Sequence, residues 1–200
     1  MSKDFFAHKA NDYDQEKYRV NNVENIANAV IANTNFNKNM HVMDFGSGTG
    51  LLLERVAPYV GKITAVDIST SMNEQLDKKR GKLNCEIEIL EMDLHCIDLN
   101  GNFDGIISSM TMHHIKDIGT MFAKFYALLK SGGFIAVADL DTENGSFHTE
   151  DTGVHHFGFD REEISTFAMQ VGFREVEVVD ASVVKKPYGD FPVFLLIAKK

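Results

Sequence analysis

The run His41-Val42-Met43-Asp44-Phe45 passes directly into Gly46-Ser47-Gly48-Thr49-Gly50, and Leu51, Leu52, Leu53 and Val56 follow as a helix that starts inside the glycine loop. A short apolar run, a glycine-dense turn and a helix in immediate succession form a strand–loop–helix unit. Glycines there let the backbone approach a ligand without Cβ obstruction, and the helix start offers N–H groups to an anionic group. Taken alone, the loop says only that a strand turns into a helix, since glycines punctuate many such turns.

The same alternation continues along the chain. Lys62–Asp67 reads as a second strand, rich in β-branched residues, and Ser69 or Ser71 would cap a helix through Met72 to Lys79. Glu86–Glu91 alternates as a third strand and Phe103–Ser109 as a fourth. Met121–Leu129 is expected to be helical, stopped by Ser131-Gly132-Gly133. A fifth strand is expected over Phe134–Asp139, a helix over Arg161–Val171, and late strands over Val176–Ala181 and Val193–Ala198. The first forty residues look helical, with Val23, Ile26, Ala27, Val30 and Ile31 on one face. Strands alternating with helices specify an α/β fold, a Rossmann-like doubly wound sheet that is mostly parallel with helices on both faces. Seven strands are expected. A hairpin-like connection through Lys185-Lys186-Pro187-Tyr188-Gly189 makes the last antiparallel.

With 200 residues, no repeat and no low-complexity linker, the chain is expected to be a single domain over 1–200. Within it, 1–37 would be an N-terminal helical cap segment and 38–200 the Rossmann-like core. The formal net charge of −9 argues against a nucleic-acid surface as the main business. Cys85 and Cys96 form no CxxC pair, which removes zinc-ribbon and thioredoxin readings. The N-terminus carries no apolar signal core and no stretch has membrane-span length. The expectation is a cytoplasmic enzyme with no membrane or nucleic-acid partner.

Asp67 ends the second strand, twenty-one positions beyond Gly46. An acid about 20 residues on is placed to accept hydrogen bonds from ribose hydroxyls. Dinucleotide and S-adenosylmethionine (SAM) sites share this feature. The glycine spacing differs from the dinucleotide pattern G-x-G-x-x-G: this chain has Gly46-x-Gly48-x-Gly50, with Asp44 two positions earlier.

The stretch Val42–Gly50 resembles motif I of the class I SAM-dependent methyltransferases. Ala65-Val66-Asp67-Ile68-Ser69-x-x-Met72 is similar to that family's second motif, and Glu91-Met92-Asp93-Leu94 to its acid loop after the third strand. Phe103–Ser109 and Leu129-Lys130-Ser131-Gly132-Gly133 resemble its fourth- and fifth-strand motifs. The resemblance runs in order from about residue 38 to 140 and looks most like the small UbiE-like subgroup. It is specific for fold and cofactor and unspecific for substrate. It implies that Gly46, Ser47, Gly48 and Gly50 lie against the methionine part of SAM and that Asp44 orients its amino group. It places Asp67 on the ribose, Ile68 and Met72 at the adenine face, Asp93 and Leu94 at the adenine edge, and Ser109 or Met110 near the sulfonium. Ala10-Asn11-Asp12-Tyr13-Asp14 resembles the subgroup's Tyr-Asp segment, with Tyr13 closing over SAM and Arg19 meeting a carboxylate.

A sulfonium methyl is already activated, so positioning supplies much of the rate. A base is needed only where the acceptor must lose a proton, and His is the usual choice near neutral pH. His113 and His114 follow the fourth strand, and His148, His155 and His156 follow the fifth. Three readings stand beside one another. One makes His114, His148 and His155 catalytic, as base or acceptor-orienting groups. Another assigns the histidines to packing and loop hydrogen bonds. The third is a metal site of His148, His155 or His156 with Asp139, Asp141 or Glu143, whose spacing matches no standard motif, and no metal is expected. Phe147, Phe157, Phe159, Met110 and Met112 would wall a hydrophobic pocket or form ordinary core.

The expected function is methyl transfer from SAM to a small-molecule acceptor, giving S-adenosylhomocysteine. A non-catalytic SAM-binding protein and an NAD-dependent oxidoreductase are the alternatives. The glycine spacing and the Asp93-Leu94 loop count against the last.

Overall fold

The fold is described from a computed structural model that covers residues 4–5, 7–93, 101–150 and 152–200. Seven strands build one sheet: β1 His41–Phe45, β2 Lys62–Asp67, β3 Glu86–Glu91, β4 Phe103–Ser109, β5 Leu129–Leu140, β6 Arg174–Lys186 and β7 Gly189–Lys199. Their order is β3-β2-β1-β4-β5-β7-β6. β7 runs antiparallel to both β5 and β6, and the pairs from β3 to β5 are parallel. This is the doubly wound sheet with an antiparallel last strand that the alternation implies.

Five helices cover it: α1 Lys17–Asn33, α2 Leu51–Val56, α3 Thr70–Lys79, α4 Ile118–Leu128 and α5 Arg161–Gln170. Successive strand side chains point to opposite faces, so Val42 joins one core and Met43 the other. The first core packs Ile26, Val30, Leu53 and Leu76 of α1–α3 on the sheet. The second packs Met121, Phe122 and Phe125 of α4 with Ile164 and Ala168 of α5. Among the described residues no helix is long and apolar enough to cross a membrane.

Several boundaries differ from the sequence expectation, β5 and β7 among them, which run over Leu129–Leu140 and Gly189–Lys199. Helix α4 begins at Ile118, where the Asp117 carboxylate caps Thr120 N–H at 2.9 Å. It ends at Leu128, and the glycines expected as its stop lie inside β5. The reason is pairing: Lys200 N–H donates to Gly133 O at 2.8 Å, and Gly132 N–H to Lys200 O at 3.2 Å. Strand β6 extends from Arg174 to Lys186 because the hairpin stays paired to its two-residue turn, Pro187-Tyr188, with Lys186 opposite Gly189.

The strand order reverses between β1 and β4, since β2 and β3 lie beyond one and β5 beyond the other. Ligands in open α/β sheets bind at the carboxyl ends of strands at such a switch point. The glycine loop leaves β1 there, and Met110–His114 leaves β4 beside it.

Candidate functional site

The loop is held against β2 by Gly46 N–H and Ser47 N–H, which both donate to Val66 O at 2.8 and 3.2 Å. Gly46 takes φ +69°, and a Cβ there would lie 2.2 Å from the Thr111 side chain. Gly48 takes φ +53° and a Cβ there would meet nothing within 4 Å, so this peptide faces open space. Gly50, at φ +86°, packs on Leu76 and starts α2. It lines neither of the cavities described below.

Asp67 accepts Gly48 N–H on Oδ2 and Ser69 N–H on Oδ1, both at 2.8 Å. Burial, and more weakly the Asp4 charge, push this carboxyl above its usual range, opposed by backbone hydrogen bonds from Ser69, Gly48 and Ile68. Asp44, one residue before the end of β1, is 1% exposed. Burial and then the Asp67 charge push it up to about 8. Its Oδ2 is buried without a hydrogen-bond partner, as are Asn22 Oδ1, Ser47 Oγ and Ser109 Oγ. All four residues line one cavity over the glycine loop. Buried polar atoms are nearly always bonded, so four orphans on residues that line one space fit a polar ligand. An orphan carboxylate oxygen in that set fits a cationic amino group.

A second cavity continues from the first through Tyr13, Gly48, Ser109 and Met110. It is lined by Asp67, Ile68, Met72, Met92 and Asp93. Ile68 is 52% exposed, an apolar side chain presented to the space, while Met72 is buried under it at the start of α3. Ser69 caps that helix by accepting Met72 N–H at 3.2 Å, and Asp4 accepts the hydroxyls of Ser69 and Ser71. Leu94 lies outside the described residues.

Tyr13 sits in a short 3-10 turn and lines both cavities. The Arg19 guanidinium lies 4.3 Å from its ring centre. Asp14 fastens this turn to the loop, accepting Thr49 Oγ1–H at 2.6 Å and pairing with Lys79 at 2.5 Å. Burial raises the Tyr13 phenol.

On the far side of the first cavity stands a histidine cluster. Asp139, fully buried at the end of β5, accepts His113 Nδ1–H on Oδ1 at 2.7 Å and His113 N–H on Oδ2 at 3.1 Å. His113 Nε2 meets His148 Nε2 at 3.2 Å, and His148 Nδ1 meets Thr152 Oγ1 at 3.1 Å. The His114 ring lies 4.2 Å from His113. Burial, followed by the neighbouring His113, lowers His114 to about 4. Burial with His113, His114 and Lys186 lowers His148 to about 3. Both are therefore neutral at neutral pH. Met110, beside them, holds the left-handed φ of +56°, unusual for a residue with a side chain.

The structure thus gathers Tyr13, Asp44, Gly46, Ser47, Gly48 and Ser109 with His114 and His148 around one cavity, and Asp67, Ile68, Met72 and Asp93 around its continuation. His155 is absent from the first cavity; it is exposed at the second, which His114 also lines, and its backbone N–H donates to His113 O at 2.9 Å. Among the described residues no group of three or more His, Cys, Asp or Glu is placed to hold a metal ion. Of the apolar residues, Phe147 and Met110 line the cavity, Met112 and Phe159 are core, and Phe157 is 56% exposed. The His113–Asp139 pair is absent from the catalytic set expected from sequence. Its signal was the position of both residues at the carboxyl ends of β4 and β5, which are neighbours.

The family model described as "Methyltransferase domain" matches residues 42–133. An uncharacterized methyltransferase of Schizosaccharomyces pombe is 31% identical over 195 residues, covering 86% of this chain and 66% of that protein. The malonyl-[acyl-carrier protein] O-methyltransferase of Geobacter sulfurreducens is 28% identical, covering 80% and 64%. The chain therefore spans slightly less than two thirds of the length of these relatives. Among solved structures, the putative methyltransferase in complex with the Haloferax volcanii Trm112 methyltransferase activator aligns with a TM-score of 0.79 at 16% identity, covering 100% and 99%. Haemonchus contortus phosphoethanolamine N-methyltransferase 2, in complex with SAM, aligns at 0.71 and 17%, covering 87% and 52%. These structures share the fold. Over residues 42–133 the chain is similar to methyltransferase domains, and its fold is the one these methyltransferase structures share.

Proposed function

We propose that the chain transfers a methyl group from SAM to a small-molecule acceptor bound on the histidine side of the first cavity, releasing S-adenosylhomocysteine. The observation that carries this reading is the set of four unpartnered buried polar atoms on Asn22, Asp44, Ser47 and Ser109, residues that all line one cavity over the glycine loop. Asp44 would hold the amino group of SAM and Arg19 its carboxylate. Asp67 would take the ribose hydroxyls. Ile68 and Met72 would flank the adenine and Asp93 its edge, with Leu94 assigned there by family resemblance alone. The Gly46, Ser47 and Gly48 backbone would run along the methionine part, and Ser109 and Met110 would stand nearest the sulfonium. Tyr13 and the rest of 1–37 would cap the cofactor over a core of 38–200, the whole forming one domain. The UbiE-like assignment rests on the Tyr13-Asp14 segment.

Bound SAM supplies an activated methyl group, which leaves with its bond electrons passing to sulfur as the acceptor's lone pair forms the new bond. The chain's part is to orient the acceptor and remove its proton. His148 and His114 face that space and are neutral, as a proton-accepting group must be; His155 is placed on the adenine side and would act on the acceptor only from the rim. The net charge of −9 favours a small acceptor over nucleic acid.

Titration calorimetry with SAM, S-adenosylhomocysteine and NAD tests the donor. Binding of the first two and not the third is expected, and a preference for NAD would overturn the reading. A labelled-methyl screen against hydroxyl, thiol and amine metabolites tests the transfer. Because the Haloferax methyltransferase occurs with an activator, the screen is run with and without a Trm112-type protein. Binding without turnover under either condition would make the chain a non-catalytic SAM-binding protein.

A further inference from the structure

With His148 kept neutral, as its depression to about 3 requires, the heavy atoms around His113 admit two proton arrangements that satisfy every bond. Asp139 is an ionised acceptor: burial pushes its carboxyl up, but His113 and the N–H groups of Leu140 and His113 outweigh that and hold it below the usual range. It accepts Leu140 N–H at 2.7 Å besides the two bonds from His113. His113 Nδ1 therefore carries a hydrogen in both arrangements. One hydrogen fits between His113 Nε2 and His148 Nε2 at 3.2 Å. In the first arrangement His148 Nε2–H donates to a neutral His113, and His148 Nδ1 accepts from the Thr152 hydroxyl. In the second, His113 is an imidazolium that donates to His148 Nε2, and His148 Nδ1–H donates to Thr152 Oγ1. The two differ by one proton and need no heavy-atom movement.

We propose that Thr152, His148 and His113 form a proton relay that carries the acceptor's proton from the cavity to the buried His113–Asp139 pair. The inference rests on the methyl-transfer reading above. As the acceptor's heteroatom–hydrogen bond breaks, its proton goes to Thr152 Oγ1 and the Thr152 proton to His148 Nδ1. The His148 Nε2 proton goes to His113 Nε2. Thr152 and His148 end neutral, and the charge rests on His113, 2.7 Å from Asp139. Thr152 lines both cavities, so the relay opens where the cofactor and acceptor spaces meet.

The surroundings decide where the charge settles. Lys186 from β6 faces His148 with its ammonium 3.7 Å from the Phe147 ring centre, and His114 lies 5.8 Å from His148. Both oppose charge on His148, which makes it a conduit and a poor store. Asp139 from β5 makes His113 the store. His155 meets His113 only through its backbone N–H. Asp139 and His113 act through His148 and are positioning residues. A relay of this kind selects acceptors whose attacking atom bears a proton, namely a hydroxyl, thiol or N–H amine. A carbon or tertiary amine acceptor would leave it without use.

The test is two-bond proton–nitrogen correlation on the full chain labelled with 15N-histidine, from about pH 5 to 9, without acceptor. At the upper end His113 is expected as the Nδ1–H tautomer and His148 as the Nε2–H tautomer. On acidification His113 gains its second proton, and His148 switches to Nδ1–H at the same midpoint. Thr152→Val and His148→Gln, the latter at a half-exposed position, are expected to move the His113 midpoint. A His148 tautomer constant through the His113 transition, or a midpoint unmoved in both variants, would overturn the relay and leave a structural Asp–His pair. With the acceptor from the screen, His113→Asn is expected to lower kcat at least tenfold with KM for SAM unchanged, and an unaltered kcat would also overturn it. Absent SAM binding in the wild type would instead remove the methyltransferase reading, and calorimetry reports that separately.

Discussion

Asp44 shows how one residue sets function against stability. Its carboxyl is buried, lacks a partner on Oδ2 and is pushed up to about 8. In the unfolded chain it would ionise in the usual carboxylate range. The sign follows: the folded state binds the extra proton, so stability is fully present at low pH and is lost as pH rises toward about 8. Asp44→Asn is therefore expected to raise the melting temperature of the ligand-free protein, more at pH 8 than at pH 5. The cationic amino group of SAM would reverse the balance by requiring the ionised form. At about pH 7, SAM binding should release most of one proton, seen as a dependence of calorimetric heat on buffer ionisation enthalpy. Asp44→Asn should abolish that release and weaken binding at least tenfold, about 1.4 kcal/mol. Equal heats across buffers in the wild type would count against Asp44 as the amino-group partner. His113 was named among the histidines in the sequence but not chosen, because its partner Asp139 lies twenty-six positions away and only adjacent strand ends unite them.

At the scale of the element, the glycine loop separates folding from binding. Gly46 and Gly48 both hold left-handed φ, where a side chain costs about 1–2 kcal/mol. Gly46 also lies against Thr111, so Gly46→Ala adds a clash with a packed side chain. Gly48 faces open space. Gly48→Ala should cost only the backbone strain in denaturant unfolding yet lower SAM affinity more than tenfold, because a Cβ would project where the cofactor backbone approaches. Gly46→Ala should lower both. Equal affinity losses proportional to stability losses would show that the loop only holds the fold. The spacing of the three glycines was legible in the sequence; that Gly50 serves α2 and Leu76 rather than the cavity was not, since this depends on the φ each glycine adopts and on what packs behind it.

At the scale of the whole molecule, the sheet is clamped between two cores, and the α4–α5 side carries the larger aromatic load. Phe122 is fully buried beside Phe125 and Phe173, with ring centres 6.2 and 6.4 Å away. Phe122→Ala should destabilise the protein by about 3–5 kcal/mol in equilibrium unfolding. Phe157→Ala, at a 56% exposed position, should stay within about 0.5 kcal/mol. Similar losses for the two would contradict the assignment of the core. This sheet brings the ends of β1, β4 and β5 side by side, and so sets the glycine loop, Met110 and His113, which Asp139 holds from behind, around one space.

The sequence by itself determined the period of most elements, the strand–helix alternation, the antiparallel last strand, and the glycine loop and acid that line the two cavities. Those are local properties: hydrophobic spacing, turn residues, and an acid at a set distance from a glycine loop. The tertiary structure alone decided which histidines share a cavity. It kept His155 off the first cavity, which His114 and His148 both line, left Asp44 Oδ2 buried without a partner, and joined Thr152, His148, His113 and Asp139 in one line of hydrogen bonds. No local pattern encodes these, because burial and contact between distant residues arise only when the sheet order places their strand ends together.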